Sequence, residues 1–211
     1  GKETLFSKKY GKFEARIKLP AGEGLWPAFW LLPDPNDNPY GGWASSGEID
    51  IMEAKGRLLQ ESSGTIHYGQ AWPDNKYSGG TNQMAEGQSI EEFHVYGIEW
   101  EPDEIRWYVD GELFHTENSW YARGKGEKEN YPFPAPFNEE FYILLNLAIG
   151  GNFDGGRKPQ DSDLPAVMEV DYVRVYDLTS GYDETISKPV IALAEAGTAL
   201  YIQEDSEYNY I

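Results

Sequence analysis

The sequence predicts an all-β chain folded as an antiparallel sandwich, and three observations carry that reading. Several segments alternate apolar and polar residues with a period of two, the mark of a half-buried strand. Stretches rich in Gly, Ser, Asn, Asp and Pro separate them. No segment carries the periodicity of a long amphipathic helix. A chain of 211 residues is long enough for one sizeable domain with its own core.

Taken in order, KFEARIKL places Phe13, Ala15, Ile17 and Leu19 on one face, with Lys12, Glu14, Arg16 and Lys18 on the other. GEIDIMEA (47–54) and the short GTIHYG (64–69) read as strands. In DEIRWYVDGELFHT, Ile105, Trp107 and Val109 alternate with Arg106, Tyr108 and Asp110. Asp110-Gly111 then supplies the two positive φ values of a tight hairpin turn. FYILLNLAIGG, from Phe141, is apolar on both faces except at Asn146, which predicts a central strand covered on both sides. MEVDYVRVYD, from Met168, alternates again. LQESSG (59–64), DNKYSGGTNQ (74–83) and RGKGEKENYPFPAP (123–136) read as loops. From Leu178 the texture changes, so residues 178–211 read as a linker and tail, or as an extra docked strand, beside a sandwich of residues 1–177.

Composition narrows the partners. The net charge of −19 opposes nucleic acid, anionic membranes and sulfated polymers, and favours a neutral substrate. No Cys is present, which excludes disulfides, thiol chemistry and Cys-ligated metals. No run of about 18 apolar residues offers a membrane-spanning helix, and GKETLFSKKYGKFEA carries no apolar signal region. Seven Trp and 15 Tyr exceed what a core of this size needs, so some aromatics are expected on a stacking surface.

The most informative stretch is GEIDIMEA, which concentrates Glu48, Asp50 and Glu53 within six residues. On a regular strand Glu48 and Asp50 share a face and Glu53 points the other way. One extra residue around Ile51-Met52, a β-bulge, returns Glu53 to that face and buries the apolar pair. Two carboxyls facing one substrate bond are what glycoside hydrolysis requires, one attacking the anomeric carbon and one protonating the leaving oxygen. Asp50 between them would hold Glu48 and, with burial, raise the pKa of Glu53. The alternative is a solvated acidic face or a Ca²⁺ site, and sequence spacing does not choose between a retaining and an inverting geometry. Trp26 and Trp30 in LWPAFWLL, and Trp43 in GGWASSGEID, flank the acids. Each is either a core ring or a platform for the apolar face of a sugar. Trp72 in QAWPDN, His67 in GTIHYG and Asn146 are further candidates. A buried Asn146 amide needs a partner, either a backbone neighbour or a sugar hydroxyl. His94 and His115 read as structural.

GEIDIMEA preceded by GLWPAFWLL resembles glycoside hydrolase family 16 in its bulged E-x-D-x-x-E form, above all the endo-β-1,3-glucanases (laminarinases). YGKFEARIKLP, GTIHYG, EEFHVYGIEWEPDEIRWYVDG, ILLNLAIGG and MEVDYVRVYD stand in the expected order, so the resemblance spans about residues 8–177. It implies a jelly roll of concanavalin A type that lacks the family's usual N-terminal strands: a second chain or segment supplies them, the tail after Leu178 replaces them, or the fold is incomplete. It implies Glu48 as nucleophile, Asp50 as its assisting acid, Glu53 as acid/base, and retention of configuration. Trp26, Trp30 and Trp43 would line subsites on the non-reducing side, with Trp72 toward the reducing side and His67 beside the acid/base. A structural calcium ion would be held by Asp171 with backbone oxygens. The substrate would be a neutral β-glucan, and the location secreted or cell-surface. Rival readings are a mixed-linkage lichenase, an agarase or carrageenase, and a glucan-binding protein without catalysis. A calcium-dependent adhesion sandwich would account for the acids but not for the Trp placement.

Overall fold

A computed structural model describes residues 5–178 apart from Asp37. Of the expected tail, all but Leu178 lies outside the described residues. The strands are β1 (Gly11–Lys18), β2 (Leu25–Pro33), β3 (Glu48–Glu53), β4 (Glu61–Gly69), β5 (Asn75–Gln83), β6 (His94–Trp100), β7 (Ile105–Val109), β8 (Glu112–Glu117), β9 (Phe141–Ile149) and β10 (Glu169–Tyr176). They form two five-stranded sheets, in the orders β10-β1-β6-β7-β8 and β5-β4-β3-β2-β9. Every pairing between named strands is antiparallel. The chain is an all-β sandwich, as its alternating segments predict.

The inner faces meet in one core. Phe13, Ala15, Ile17 and Leu19 are buried, as the alternation in KFEARIKL requires, and so are Ile105, Trp107 and Val109. From the second sheet come Phe29, Leu31, Ile49 and Ile66. Removing each large apolar side chain from water contributes about 1.5–3 kcal/mol. Asp110 and Gly111 turn the β7–β8 hairpin with φ of 51° and 82°.

Three expectations are corrected. FYILLNLAIGG is an edge strand: among the described residues β9 pairs along its length with β2 alone. Its inward Ile143 and Leu145 pack on the core. Its outward Leu144 and Ala148 lie opposite Trp30 and Trp26. Large side chains of the neighbouring strand stand beside that face, where a second layer was expected. DNKYSGGTNQ is mostly strand β5, which is polar on both faces and so carries no period-two signal. LQESSG is partly the start of β4.

The bulge predicted in β3 is present. Asp50 pairs with Thr65 and Glu53 with Ser63, so Ile51 and Met52 together oppose Gly64. Both are buried in the core. A bulge leaves a ladder group unpaired, and Trp107 of the opposing sheet reaches across the sandwich to donate its indole N–H to the Asp50 carbonyl at 2.9 Å. Gly64 makes room for that ring, because a Cβ there would stand 2.2 Å from Trp107 Cδ1.

Candidate active site

The bulge brings all three acids to the outer face of the second sheet. Cross-strand register sets their neighbours. His67 and then Tyr77 lie beside Glu48 on β4 and β5. Thr65 and Trp30 flank Asp50. Ser63 and Ala28 flank Glu53, with Asn146 next across the sheet.

Each glutamate has its own indole donor. Trp43 Nε1 donates to Glu48 Oε2 at 2.8 Å, and Trp26 Nε1 donates to Glu53 Oε1 at 2.8 Å. Trp26 stacks on Phe153, with ring centroids 4.9 Å apart and planes at 21°. The Lys55 ammonium stands 4.8 Å from the centroid of that Phe153 ring. Trp30 Nε1 donates to Asn146 Oδ1 at 2.7 Å. Asn146 is exposed, so the expected buried amide is corrected, and its oxygen accepts from an indole. Trp26 and Trp30 are half-buried on the outer face, whereas the indoles packed into the core are Trp100, Trp107 and Trp120.

Trp43 stands apart from that pair. Its ring lies 5.5 Å from His67 and 6.4 Å from Trp72, whose backbone N–H donates to the Trp43 carbonyl at 3.0 Å. Trp26 and Trp30 thus flank the acids from β2, and Trp43 and Trp72 meet on the side of β4. His67 is placed differently from what the resemblance implies. Its Nε2 lies 3.7 Å from Glu48 Oε1 and 3.3 Å from Asp50 Oδ2, against the nucleophile candidate and Asp50. His94 and His115 are tied to Asp110 and Glu117, as structural residues would be.

Desolvation and mutual repulsion drive the acids toward their neutral forms. Burial first, then the Asp50 charge, pushes Glu48 up to about 8, opposed by His67 and the Trp43 N–H. Asp50 rises through burial and then the charge of Glu53. Glu53 rises through burial, against the opposing pull of the Trp26 N–H, His67 and Lys55. Mutual repulsion thus links the protonation of the three acids, and a proton on one favours ionisation of its neighbours.

Asp171, the residue that the resemblance offers to calcium, lies on β10. It is the extra residue of a bulge in β10, opposite Arg16 and Ile17. Its carboxylate accepts from the Arg16 guanidinium at 2.7 Å and is half exposed. A calcium ion takes six to eight oxygens, and a cation there would compete with Arg16.

Sequence reading passed over Lys55, Phe153 and Tyr77. Lys55 follows Glu53 by two residues, Phe153 is a lone aromatic in GGNFDGG, and Tyr77 lies in the segment read as a loop. Tyr77 is 73% exposed and its ring is 5.9 Å from His67, so it extends the aromatic row of Trp72, Trp43 and His67.

The family model for glycosyl hydrolases family 16 matches residues 1–147. The glucan endo-1,3-beta-glucosidase A1 of Niallia circulans is 54% identical over 173 residues, which cover 81% of this chain and 24% of that protein. The glucan endo-1,3-beta-glucosidase of Cryptopygus antarcticus is 43% identical over 170 residues, covering 78% of this chain and 61% of that protein. The chain thus spans less than two thirds of either relative. The X-ray structure of the laminarinase from Rhodothermus marinus superposes with a TM-score of 0.69 at 36% identity, covering 83% of this chain and 68% of that one. A bulged acidic strand on a two-sheet sandwich, matched over most of its length, means that this chain belongs to glycosyl hydrolase family 16.

Proposed function

We propose that the chain is the catalytic sandwich of an endo-acting β-1,3-glucanase that works by double displacement with retention of configuration. The observation that carries the reading is the pair of glutamates on one face, each held by a separate indole N–H. Similarity to two glucan endo-1,3-beta-glucosidases supports the linkage.

In the first step a Glu48 carboxylate oxygen attacks the anomeric carbon while the glycosidic C–O bond breaks. Glu53 delivers its proton to the departing oxygen. A glycosyl ester on Glu48 results. In the second step Glu53, now a base, takes a proton from water, whose oxygen attacks the anomeric carbon and releases Glu48. The Trp43 N–H favours an ionised Glu48. A proton kept by Asp50, the most buried of the three acids, removes the charge that opposes that ionisation. Trp26, Trp30, Trp43 and Trp72 offer rings to sugar faces. A polymeric substrate supports a location outside the cell or on its surface.

Reducing-sugar release from laminarin and from mixed-linkage barley glucan tests the reading. Release from laminarin that disappears in Glu48→Gln and Glu53→Gln, with oligosaccharide binding retained, is expected. Binding without release in the unaltered chain would make it a glucan-binding protein. Faster release from the mixed-linkage polymer would make it a lichenase.

A further inference from the structure

We propose that Glu48, Asp50 and His67 form a binding site for a divalent transition metal such as Zn²⁺ or Co²⁺, which blocks the cleft. Among the described residues these three are the one group of His and acidic side chains with ligand atoms gathered closely, all within 4.8 Å of one another.

Of the three edges, one already fits a metal and a second lies just beyond the fit. Bonds of about 2.0–2.2 Å to nitrogen and oxygen put neighbouring tetrahedral ligands about 3.3–3.6 Å apart. His67 Nε2 stands 3.3 Å from Asp50 Oδ2 and 3.7 Å from Glu48 Oε1. A second observation points to a ligand independently. Asp50 is 3% exposed, and its Oδ2 has no hydrogen-bond partner although it faces the imidazole. An unmet buried carboxylate oxygen is costly, and a cation between it and Nε2 would satisfy both atoms. His67 Nδ1, buried and also without a partner, would keep the ring proton while Nε2 ligates.

The donor set selects the metal class. One imidazole nitrogen with two carboxylates suits Zn²⁺, Co²⁺ or Cu²⁺ better than Ca²⁺ or Mg²⁺, which take oxygen alone. Three protein ligands leave a fourth position for water on the open side. The other histidines are engaged elsewhere: His94 bonds Asp110 and the Ser89 carbonyl, and His115 bonds Glu117. Metal on Glu48 would occupy the lone pair that attacks the sugar. That inhibitory consequence rests on the proposed hydrolase; metal binding itself does not.

The test is titration of the full chain with Co²⁺, read by its visible absorption, and with Zn²⁺ by calorimetry. About one equivalent should bind in a saturable way. Affinity should fall by at least about 100-fold in His67→Asn and Asp50→Asn, the upper end of what loss of a supporting partner costs. Glu53→Gln should bind nearly as the unaltered chain does. Without any variant, Co²⁺ should broaden the imidazole resonances of His67 before those of the other two of the chain's three histidines. Laminarin hydrolysis should be lost with metal and restored by chelator. Absence of saturable binding would overturn the site. So would equal weakening by Glu53→Gln, which would reduce it to diffuse acidic attraction, or first broadening at His94 or His115. Saturable binding in a chain inert toward every glucan would uphold the metal site and sink the hydrolase reading alone.

Discussion

In the proposed mechanism, two indole N–H groups set the working range of the site. The Trp43 N–H stabilises the ionised form of Glu48, and the Trp26 N–H stabilises that of Glu53. Removing either raises the pKa of its partner, but the consequences differ because the roles differ. In Trp43→Phe the nucleophile needs a higher pH to ionise, so the acidic limb of the kcat profile moves up. In Trp26→Phe the acid holds its proton longer, so the alkaline limb moves up. Loss of one hydrogen bond to a charged group, about 1.5–3 kcal/mol, corresponds to limb shifts of about 1–2 pH units. A pH profile of each variant on laminarin checks this. A downward movement of either limb would show that the indoles do not act through these carboxylates.

At the scale of elements, the bulge decides whether the three acids face one substrate. Trp107 stabilises it from the opposite sheet, and Gly64 leaves the space. Trp107→Phe leaves the Asp50 carbonyl unpaired, at a cost of about 1–3 kcal/mol. Gly64→Ala forces a methyl into the indole, at about 1–3 kcal/mol. Both variants should lose stability by thermal unfolding and lose kcat more than they raise KM. A normal kcat in Trp107→Phe would mean the bulge holds without the bond. This element was legible in the sequence, because only a two-for-one pairing lets Ile51 and Met52 be buried while Glu48 and Glu53 share a face. Strand β5 was not legible, since NKYSGGTNQ is polar on both faces and its pairing partners are distant in sequence. The edge position of β9 was hidden for a related reason. Apolar residues beside Trp26 and Trp30 resemble apolar residues under a second layer.

The whole molecule accommodates an acidic cluster at a cost that depends on pH. Glu48 has an ordinary value near 4.5 and is raised to about 8 in the fold. Below about 4.5 it is protonated folded or unfolded and costs nothing. As pH climbs toward about 8 the unfolded chain releases the proton and the folded chain retains it, so stability falls across that window. Glu48→Gln should therefore stabilise the protein increasingly through the same range. The gain near pH 8 is on the order of a few kcal/mol, which raises Tm by about 2–4 °C per kcal/mol. A Tm difference that does not change with pH would contradict the burial assigned to Glu48. The sandwich and the acids were readable from period and motif. Which side each Trp takes, the contact of His67 with Glu48 and Asp50, and the backing of Trp26 by Phe153 depend on register and loop paths that local sequence does not encode.

The most direct measurement of the central claim is covalent trapping with an activated 2-fluoro laminaribioside, followed by peptide mass mapping. The fluorine slows both steps, and the good leaving group lets the first outrun the second. A single glycosyl ester on the peptide carrying Glu48, absent in Glu48→Gln, is the predicted result. A label on Glu53, or laminarin turnover with no ester and an inverted product, would contradict the account.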